Sequence, residues 1–313
     1  MTGKLAFIFP GQGSQSVGML ANLATEFSSI RTTFDEASEI LGYDVWQLIQ
    51  HDSNQQLNQT EFTQPAILTA SVALWRAWQQ QGGVLPAVMA GHSLGEYSAL
   101  VCANSISFSD GLKLVQTRGR LMQQAVPEGE GAMAAVLGLE DTIIAQICRE
   151  VQQTSGLVVA PANFNAIGQI VVSGSTQAVL KVIDLAREKG AKLAKQLPVS
   201  VPSHCPLMQP AADKLKDAFA GMAIQSPTIP IIHNADVQYH ASPAEIKEIL
   251  LQQLHQPVRW VETIQRMHAE GVTTLMECGP GKVLAGLNRR IEASQKVHCL
   301  ENSENFKAAL QSN

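Results

Sequence analysis

The 313-residue sequence predicts an α/β fold: a large domain built on a parallel sheet, with a small βαββαβ subdomain inserted into it. Three observations predict it. Short apolar runs at 5–9 and 86–90 end in glycine-containing turns and lead into helical segments, as strands buried on both faces of a parallel sheet do. Residues 128–198 follow a different rhythm, β-α-β-β-α-β, the split βαβ plan of a four-stranded sheet with two helices on one face. Beyond it the first rhythm resumes. The large domain is therefore assigned residues 1–127 and 199–313 and the small one 128–198, whose ends should lie close together, as an insertion requires.

In chain order, 5–9 is the first strand, ended by Pro10-Gly11. Helical segments run from Val17 to about Leu48, and the polar stretch 51–63 reads as loop or frayed helix. Pro65 starts a long helix to Gln81, with Ile67, Leu68, Val72, Leu74, Trp75 and Trp78 as core residues and Gly82-Gly83 as its stop. The strand 86–90 runs into Gly91-His92-Ser93-Leu94-Gly95 and a helix through Cys102. Ser107-Phe-Ser-Asp110 resembles a capping box and opens a helix to about Gln124. On that helix Arg118 and Met122 share a face, being four apart. The small subdomain has strands at 131–137, 157–162, 169–173 and 192–197, and helices at 141–152 and 176–189. The large domain then gives a helix 206–222, a strand 230–232, helices 243–254 and 258–270, a strand 273–277, the turn Gly279-Pro-Gly281, a helix 282–291 and a strand 297–300. The last dozen residues read as peripheral.

Lys+Arg 22 against Asp+Glu 27 gives a formal charge of −5, too acidic for a nucleic-acid partner. The charged fraction, 16%, is below the usual share of about 25% and leaves ample apolar residue for a core. Cys102, Cys148, Cys205, Cys278 and Cys299 are odd in number and never spaced as CxxC, so neither a disulfide framework nor a structural zinc site is indicated. The apolar run at the start stops at Pro10, too early for a secretory signal, and no run approaches the ~20 residues of a membrane span. The expectation is a cytoplasmic protein without membrane, metal or redox cofactor.

Gly91-x-Ser93-x-Gly95 is the strongest chemical motif. It fits a serine on a sharp strand-to-helix turn, its Oγ exposed at the sheet edge and the helix N-terminus beneath it. A tetrahedral oxyanion could be held there, with the Leu94 N–H as one donor. A serine hydroxyl needs a base. Among the eight histidines His204, in the crossover loop Pro202-Ser203-His204-Cys205-Pro206, leads the others modestly, while His92 adjoins Ser93 and should point elsewhere. No acid completes a triad. Asp213 lies two turns beyond His204 and equally suits the surface, and a backbone carbonyl can orient an imidazole instead. Arg118 follows the elbow helix. It is either a surface charge or, facing Ser93, a bidentate receptor for a second carboxylate on the acyl group. Gly11-Gln12-Gly13 lacks the P-loop and dinucleotide spacings and reads as a polar loop lining a site.

The chain resembles the malonyl-CoA:acyl carrier protein transacylases of bacterial type II fatty acid synthesis over nearly its whole length. The resemblance rests on Phe9-Pro-Gly-Gln-Gly-Ser-Gln15, Gly91-His-Ser-Leu-Gly-Glu-Tyr97, Gln116-Thr-Arg-Gly119, Asn163-Phe-Asn165 with Gly168-Gln169, Val201-Pro-Ser-His204 and Glu277-Cys-Gly-Pro-Gly-Lys282. It implies a large hydrolase-like α/β domain with an inserted ferredoxin-like one. Ser93 would be nucleophile, His204 base and then acid, and Arg118 partner of the malonyl carboxylate. Gln12 and Leu94 would supply the oxyanion N–H groups, and the Gln253 carbonyl would orient His204. Met122, Asn163 and Ser203 would line the pocket. The implied reaction is ping-pong transfer from malonyl-CoA to the phosphopantetheine thiol of acyl carrier protein. Coenzyme A enters only as part of the substrate, and the enzyme acts as a monomer. In related modular synthase domains Ser before the catalytic His accompanies methylmalonyl; here Ser203 holds that place, while the freestanding enzymes share Val-Pro-Ser-His and use malonyl. A serine esterase or thioesterase is the alternative, and a non-catalytic carrier-binding module a more distant one.

Overall fold

A computed structural model describes residues 3–199 and 201–311; residues 1, 2, 200, 312 and 313, which the sequence reading gave to the large domain, lie outside the described residues. The elements in chain order are β1 (Lys4–Phe9), α1 (Ala21–Glu26), α2 (Ser28–Leu41), α3 (Val45–His51), α4 (Thr60–Gln80), β2 (Val88–Gly91), α5 (Leu94–Cys102), α6 (Phe108–Gln124), β3 (Gly131–Leu137), α7 (Asp141–Ser155), β4 (Val159–Ala166), β5 (Gln169–Ser175), α8 (Thr176–Glu188), β6 (Leu193–Gln196), α9 (Gln209–Ala218), β7 (Ile231–Ile232), α10 (Pro243–His255), α11 (Trp260–Ala269), β8 (Val272–Glu277), α12 (Val283–Ile291), β9 (Lys296–Cys299) and α13 (Ser303–Gln311).

Two sheets organise these elements. Strands β7-β2-β1-β8-β9 form a parallel sheet. Its central strand β1 is buried from Leu5 to Phe9, so both faces are covered and the run reads as continuously apolar. Strand β1 pairs on one side with β2 and on the other with β8, from much later in the chain, so strand order reverses between β1 and β8, at the carboxyl end of β1 and one strand from that of β2. Ligands of open α/β sheets collect in that crevice.

The second sheet is antiparallel, in the order β4-β5-β3-β6. Alternation along β3 sends Ala132, Ala134 and Val136 into a core with α7 and α8, whereas Met133 joins Val171, Leu197 and Val199 on the opposite face. That opposite face looks toward the large sheet. The two are tied by backbone hydrogen bonds, Phe164 N–H to the Val258 carbonyl at 2.9 Å and Val258 N–H to the Ala162 carbonyl at 2.8 Å.

Three elements depart from the sequence reading. Helix α4 begins at Thr60, so Pro65 lies inside it; the helical turn before the proline is buried and carries Gln64 into the site described below. The segment expected as a helix over 206–222 is a short 3₁₀ turn (Pro206–Met208) followed by α9, which stops at Ala218 before Gly221 takes φ +76°. The C-terminal stretch is not peripheral. Helix α13 inserts Phe306, fully buried, against Phe27 at 4.8 Å and Trp78 at 6.0 Å, and Trp78 in turn packs edge-on to Phe7 of β1 at 5.4 Å. An apolar pair three apart, Phe306 and Ala309, docks this helix on the main core.

Candidate active site

Ser93 connects β2 to α5 with φ +52° and ψ −106°, a backbone conformation outside the usual regions for a side chain bearing Cβ. The flanking glycines make the turn possible. A Cβ on Gly91 would stand 1.8 Å from the Gly95 carbonyl carbon, and one on Gly95 would stand 2.0 Å from the Phe9 carbonyl oxygen. The G-x-S-x-G spacing is thus a consequence of α5 starting hard against the ends of β1 and β2.

His204 reaches Ser93 from the chain's return out of the small sheet. Its Nε2 lies 2.7 Å from Ser93 Oγ and its Nδ1 2.8 Å from the Gln253 carbonyl oxygen on α10. A carbonyl only accepts, so Nδ1 carries the proton and Nε2 is left to accept from the serine hydroxyl. His204 also has φ +61° and is anchored by its own N–H on the Leu254 carbonyl at 3.0 Å. Burial, and next the positive charge of Arg118, push its pKa down to about 3, so the imidazole is neutral at neutral pH. No carboxylate orients it. Asp213 instead accepts from Gln209 at the surface.

Arg118 is buried on α6, 1% exposed, with its guanidinium over the Tyr97 ring at 5.2 Å. Its NH1 donates to Gln64 Oε1 at 2.8 Å; its NH2 donates to Gln253 Oε1 at 3.0 Å and to Ser93 Oγ at 3.1 Å. These three acceptors are neutral, and Nε has no partner among the described residues. The surface reading of this arginine is therefore excluded: a buried cation without a contacting counter-ion touches the serine oxygen. A carboxylate reaching it would be a suitable counter-ion.

The N–H groups of Gln12, just beyond β1, and Leu94, the first residue of α5, have no hydrogen-bond partner among the described residues. Gln12 lines the same cleft as Ser93 and Leu94 follows it in the chain, so both N–H groups are candidate donors to an oxyanion. The Ser93 N–H itself is occupied, donating to Asn234 Oδ1 at 2.7 Å.

A cleft of about 220 Å³ opens over Ser93 between the two sheets, lined by Gln12, His92, Asn163, Ser203 and His204 on its polar side and by Met133 and Leu284 among its apolar residues. Asn163 and Ser203 therefore lie where the sequence reading put them. Met122 does not: it is buried outside that lining, its Sδ accepting from Gln64 Nε2 at 3.7 Å, so it packs behind the amide that holds Arg118. His92 points away from Ser93 Oγ to Asn165 Oδ1, 2.8 Å from its Nε2.

Three contributors were missed in the sequence reading. Gln64 and Asn234 carry no sequence signal, since buried amides look like loop residues out of context. Glu96 carries one: it is the single charge in the otherwise apolar helix Leu94–Cys102, and it is fully buried.

The acyl transferase domain family matches residues 6–299. Over 307 residues the chain is 52% identical to the malonyl CoA-acyl carrier protein transacylase of Salmonella typhimurium, covering 98% of this chain and 99% of the relative. A solved malonyl CoA-acyl carrier protein transacylase from Coxiella burnetii has a TM-score of 0.97 at 50% identity, over 99% of this chain and 97% of that one. A malonyl-transacylase solved in complex with a type II PKS acyl-carrier protein has a TM-score of 0.97 at 49% identity, over 99% and 100% of the two chains.

Proposed function

The chain belongs to the acyl transferase domain family, and from that premise we propose that it transfers a malonyl group from malonyl-CoA to the phosphopantetheine thiol of acyl carrier protein through a malonyl-Ser93 intermediate. The observation that carries this reading is one hydroxyl held between a neutral buried base and a buried cation, with His204 Nε2 at 2.7 Å and Arg118 NH2 at 3.1 Å from Ser93 Oγ.

In the first half-reaction Ser93 Oγ attacks the thioester carbon while His204 Nε2 takes the hydroxyl proton. The carbonyl oxygen becomes an oxyanion against the N–H groups of Gln12 and Leu94. Collapse breaks the C–S bond, and His204 returns its proton to the coenzyme A sulfur. The second half runs the same path in reverse with the carrier thiol as attacking group: its proton passes to His204 and then to Ser93 Oγ. The Gln253 carbonyl keeps Nδ1 protonated throughout and faces the imidazolium while it lasts. Arg118 exchanges neutral partners for the free malonyl carboxylate and so selects a dicarboxylic acyl group.

Every group in this scheme comes from one chain, which supports a monomer as the working unit. The scheme uses no metal or redox cofactor. Among the described residues no helix is long and apolar enough to cross a membrane, and the proposed location is the cytoplasm. The test is intact mass after mixing with malonyl-CoA, alongside Ser93→Ala, with acyl carrier protein added afterwards. A malonyl-sized adduct on the unsubstituted chain alone, discharged onto the carrier, is expected. An adduct released only to water would establish the hydrolase alternative instead.

A further inference from the structure

The two-residue strand β7 is followed by His233-Asn234, and both side chains are buried beneath the serine turn. Asn234 closes that turn from both sides. Its Oδ1 accepts the Ser93 N–H at 2.7 Å, and its Nδ2 donates to the Gly91 carbonyl at 2.6 Å. The fully buried Glu96 carboxylate holds this device in place. It accepts from the Asn234 N–H at 2.9 Å, from His233 Nδ1 at 2.8 Å and from Gln253 Nε2 at 3.0 Å. Gln253 Nε2 also donates to the Ser93 carbonyl at 2.9 Å. Gln253 thus ties the same carboxylate to Arg118 through its side chain and to His204 through its main chain.

We propose that Asn234, set by Glu96, is a positioning residue for the acyl transfer: it clamps both faces of the Ser93 turn, fixing Oγ between His204 and Arg118. The argument is conformational. A non-glycine residue at φ +52° persists only where its surroundings over-determine it. The Ser93 side chain makes no cap hydrogen bond to α5, so the turn is held through its main chain, and among the described residues Asn234 is the one side chain that meets that main chain at both Gly91 and Ser93. It also withdraws the Ser93 N–H from the oxyanion, leaving Gln12 and Leu94 as the free donors. Asn234 touches no reacting atom.

The inference rests on the proposed malonyl-serine reading, so the experiment separates the two. Two rates are measured by rapid-quench mass spectrometry: acylation of Ser93 by malonyl-CoA, and its labelling by a small neutral fluorophosphonate. In the labelling Oγ displaces fluoride at phosphorus and His204 takes the hydroxyl proton, with no carboxylate for Arg118 to bind. Asn234→Ala is expected to slow both reactions by a similar factor of about 100, the scale of a 1 Å misplacement, with one adduct per chain at completion and an unchanged malonyl-CoA concentration at half-maximal rate. Asn234→Asp supplies the second readout. When protonated, its carboxyl can accept from Ser93 and donate to Gly91 as the amide does; when ionised it loses the donor. Its acylation rate is expected to rise on acidification from about pH 8 to pH 6, where the unsubstituted enzyme stays flat. Asn234→Ala rates within about threefold of the unsubstituted enzyme would overturn the proposal, as would fewer adducts per chain at an unchanged rate constant, the mark of a purely structural role. If Asn234→Ala does not fold, a flat Asn234→Asp profile overturns it. Failure of the unsubstituted chain to acquire malonyl at Ser93 would refute the functional reading itself.

Discussion

Replacing Arg118 by Ala removes a buried cation whose present contacts, to Gln64, Gln253 and Ser93, are all with neutral oxygens. A malonyl carboxylate would be its first contacting counter-ion, formed in a site that is 1% exposed. Breaking a buried, hydrogen-bonded charge pair costs about 2–5 kcal/mol. At 1.36 kcal/mol per factor of ten this is roughly 30- to 5,000-fold in malonyl transfer. The lower part of that range is expected, because Glu96 already acts on Arg118 at longer range and offsets part of the charge. A neutral acyl group never forms the pair; it loses only the Arg118 contact to Ser93 Oγ, a loss both donors share. The substitution also takes away the second-largest cause of the low His204 pKa, which should move upward toward its ordinary 6.5. The sign follows: the base is active when neutral, so raising its pKa moves the acid limb of the rate profile to higher pH. The assay is competition between malonyl-CoA and acetyl-CoA for Ser93, read by adduct mass across a pH series. A drop of about 100-fold in the malonyl-to-acetyl ratio is expected. Equal losses for the two donors would refute the assignment of Arg118 to the carboxylate, and an acid limb that does not move would refute its action on His204.

In the unsubstituted enzyme the depressed His204 pKa keeps the base neutral as pH falls through 6.5, so single-turnover acylation should stay flat from about pH 8 to pH 5; a half-loss near 6.5 would show the imidazole to be solvated. The same depression makes the buried neutral form a stabilising feature that is lost as pH falls from 6.5 toward about 3, and His204→Phe should flatten that part of the acid-unfolding curve. Gly95→Ala places a Cβ 2.0 Å from the Phe9 carbonyl oxygen; urea unfolding should show a loss of about 1–3 kcal/mol or more, together with loss of Ser93 labelling. Phe306→Ala empties a fully buried ring site far from the cleft, and is expected to cost about 3–5 kcal/mol in the same assay while the acylation rate per folded chain is unchanged.

What was legible in the sequence follows periodicity and local sterics. Continuous apolar runs located β1 and β2, because such a run reports burial on both faces, and the β-α-β-β-α-β order marked out the small sheet. The serine turn was legible because only glycine fits at 91 and 95. Pro65 misled because proline favours a helix start in isolation, whereas tertiary packing carries α4 one turn further back. The C-terminal helix was hidden because a short amphipathic segment gains its stability from a core the local sequence does not display. In the site the serine announces itself by its motif, whereas His204 stands out only modestly among the histidines and Arg118 takes its role from the family resemblance. The amides that aim them, Gln64, Asn234 and the Gln253 side chain, carry no such mark, since their function lies in contacts spanning 54 to 160 positions along the chain.

The absence of a carboxylate on His204 bears directly on the choice between transfer and hydrolysis. Hydrolases of this general plan place an acid between the serine and the histidine in the chain and use it to stabilise the imidazolium. Here a carbonyl takes that position. Burial and the Arg118 charge weaken the base; the carbonyl raises its pKa but brings no negative charge to the ring as a carboxylate would. In the discharge step a weak base still suffices where the proton comes from a thiol, whose pKa is about 8.5. It serves poorly against water, whose pKa is about 15.7. Glu96, buried in the same network, could have strengthened His204 but is turned to His233, Asn234 and Gln253 instead. The electrostatics of the site therefore favour the carrier thiol over water in discharging the acyl-serine. A malonyl-enzyme prepared without carrier should outlast by at least about 100-fold the time it needs to discharge once carrier is added. Discharge to water at a comparable rate would show that the weakness of His204 is not what protects the intermediate.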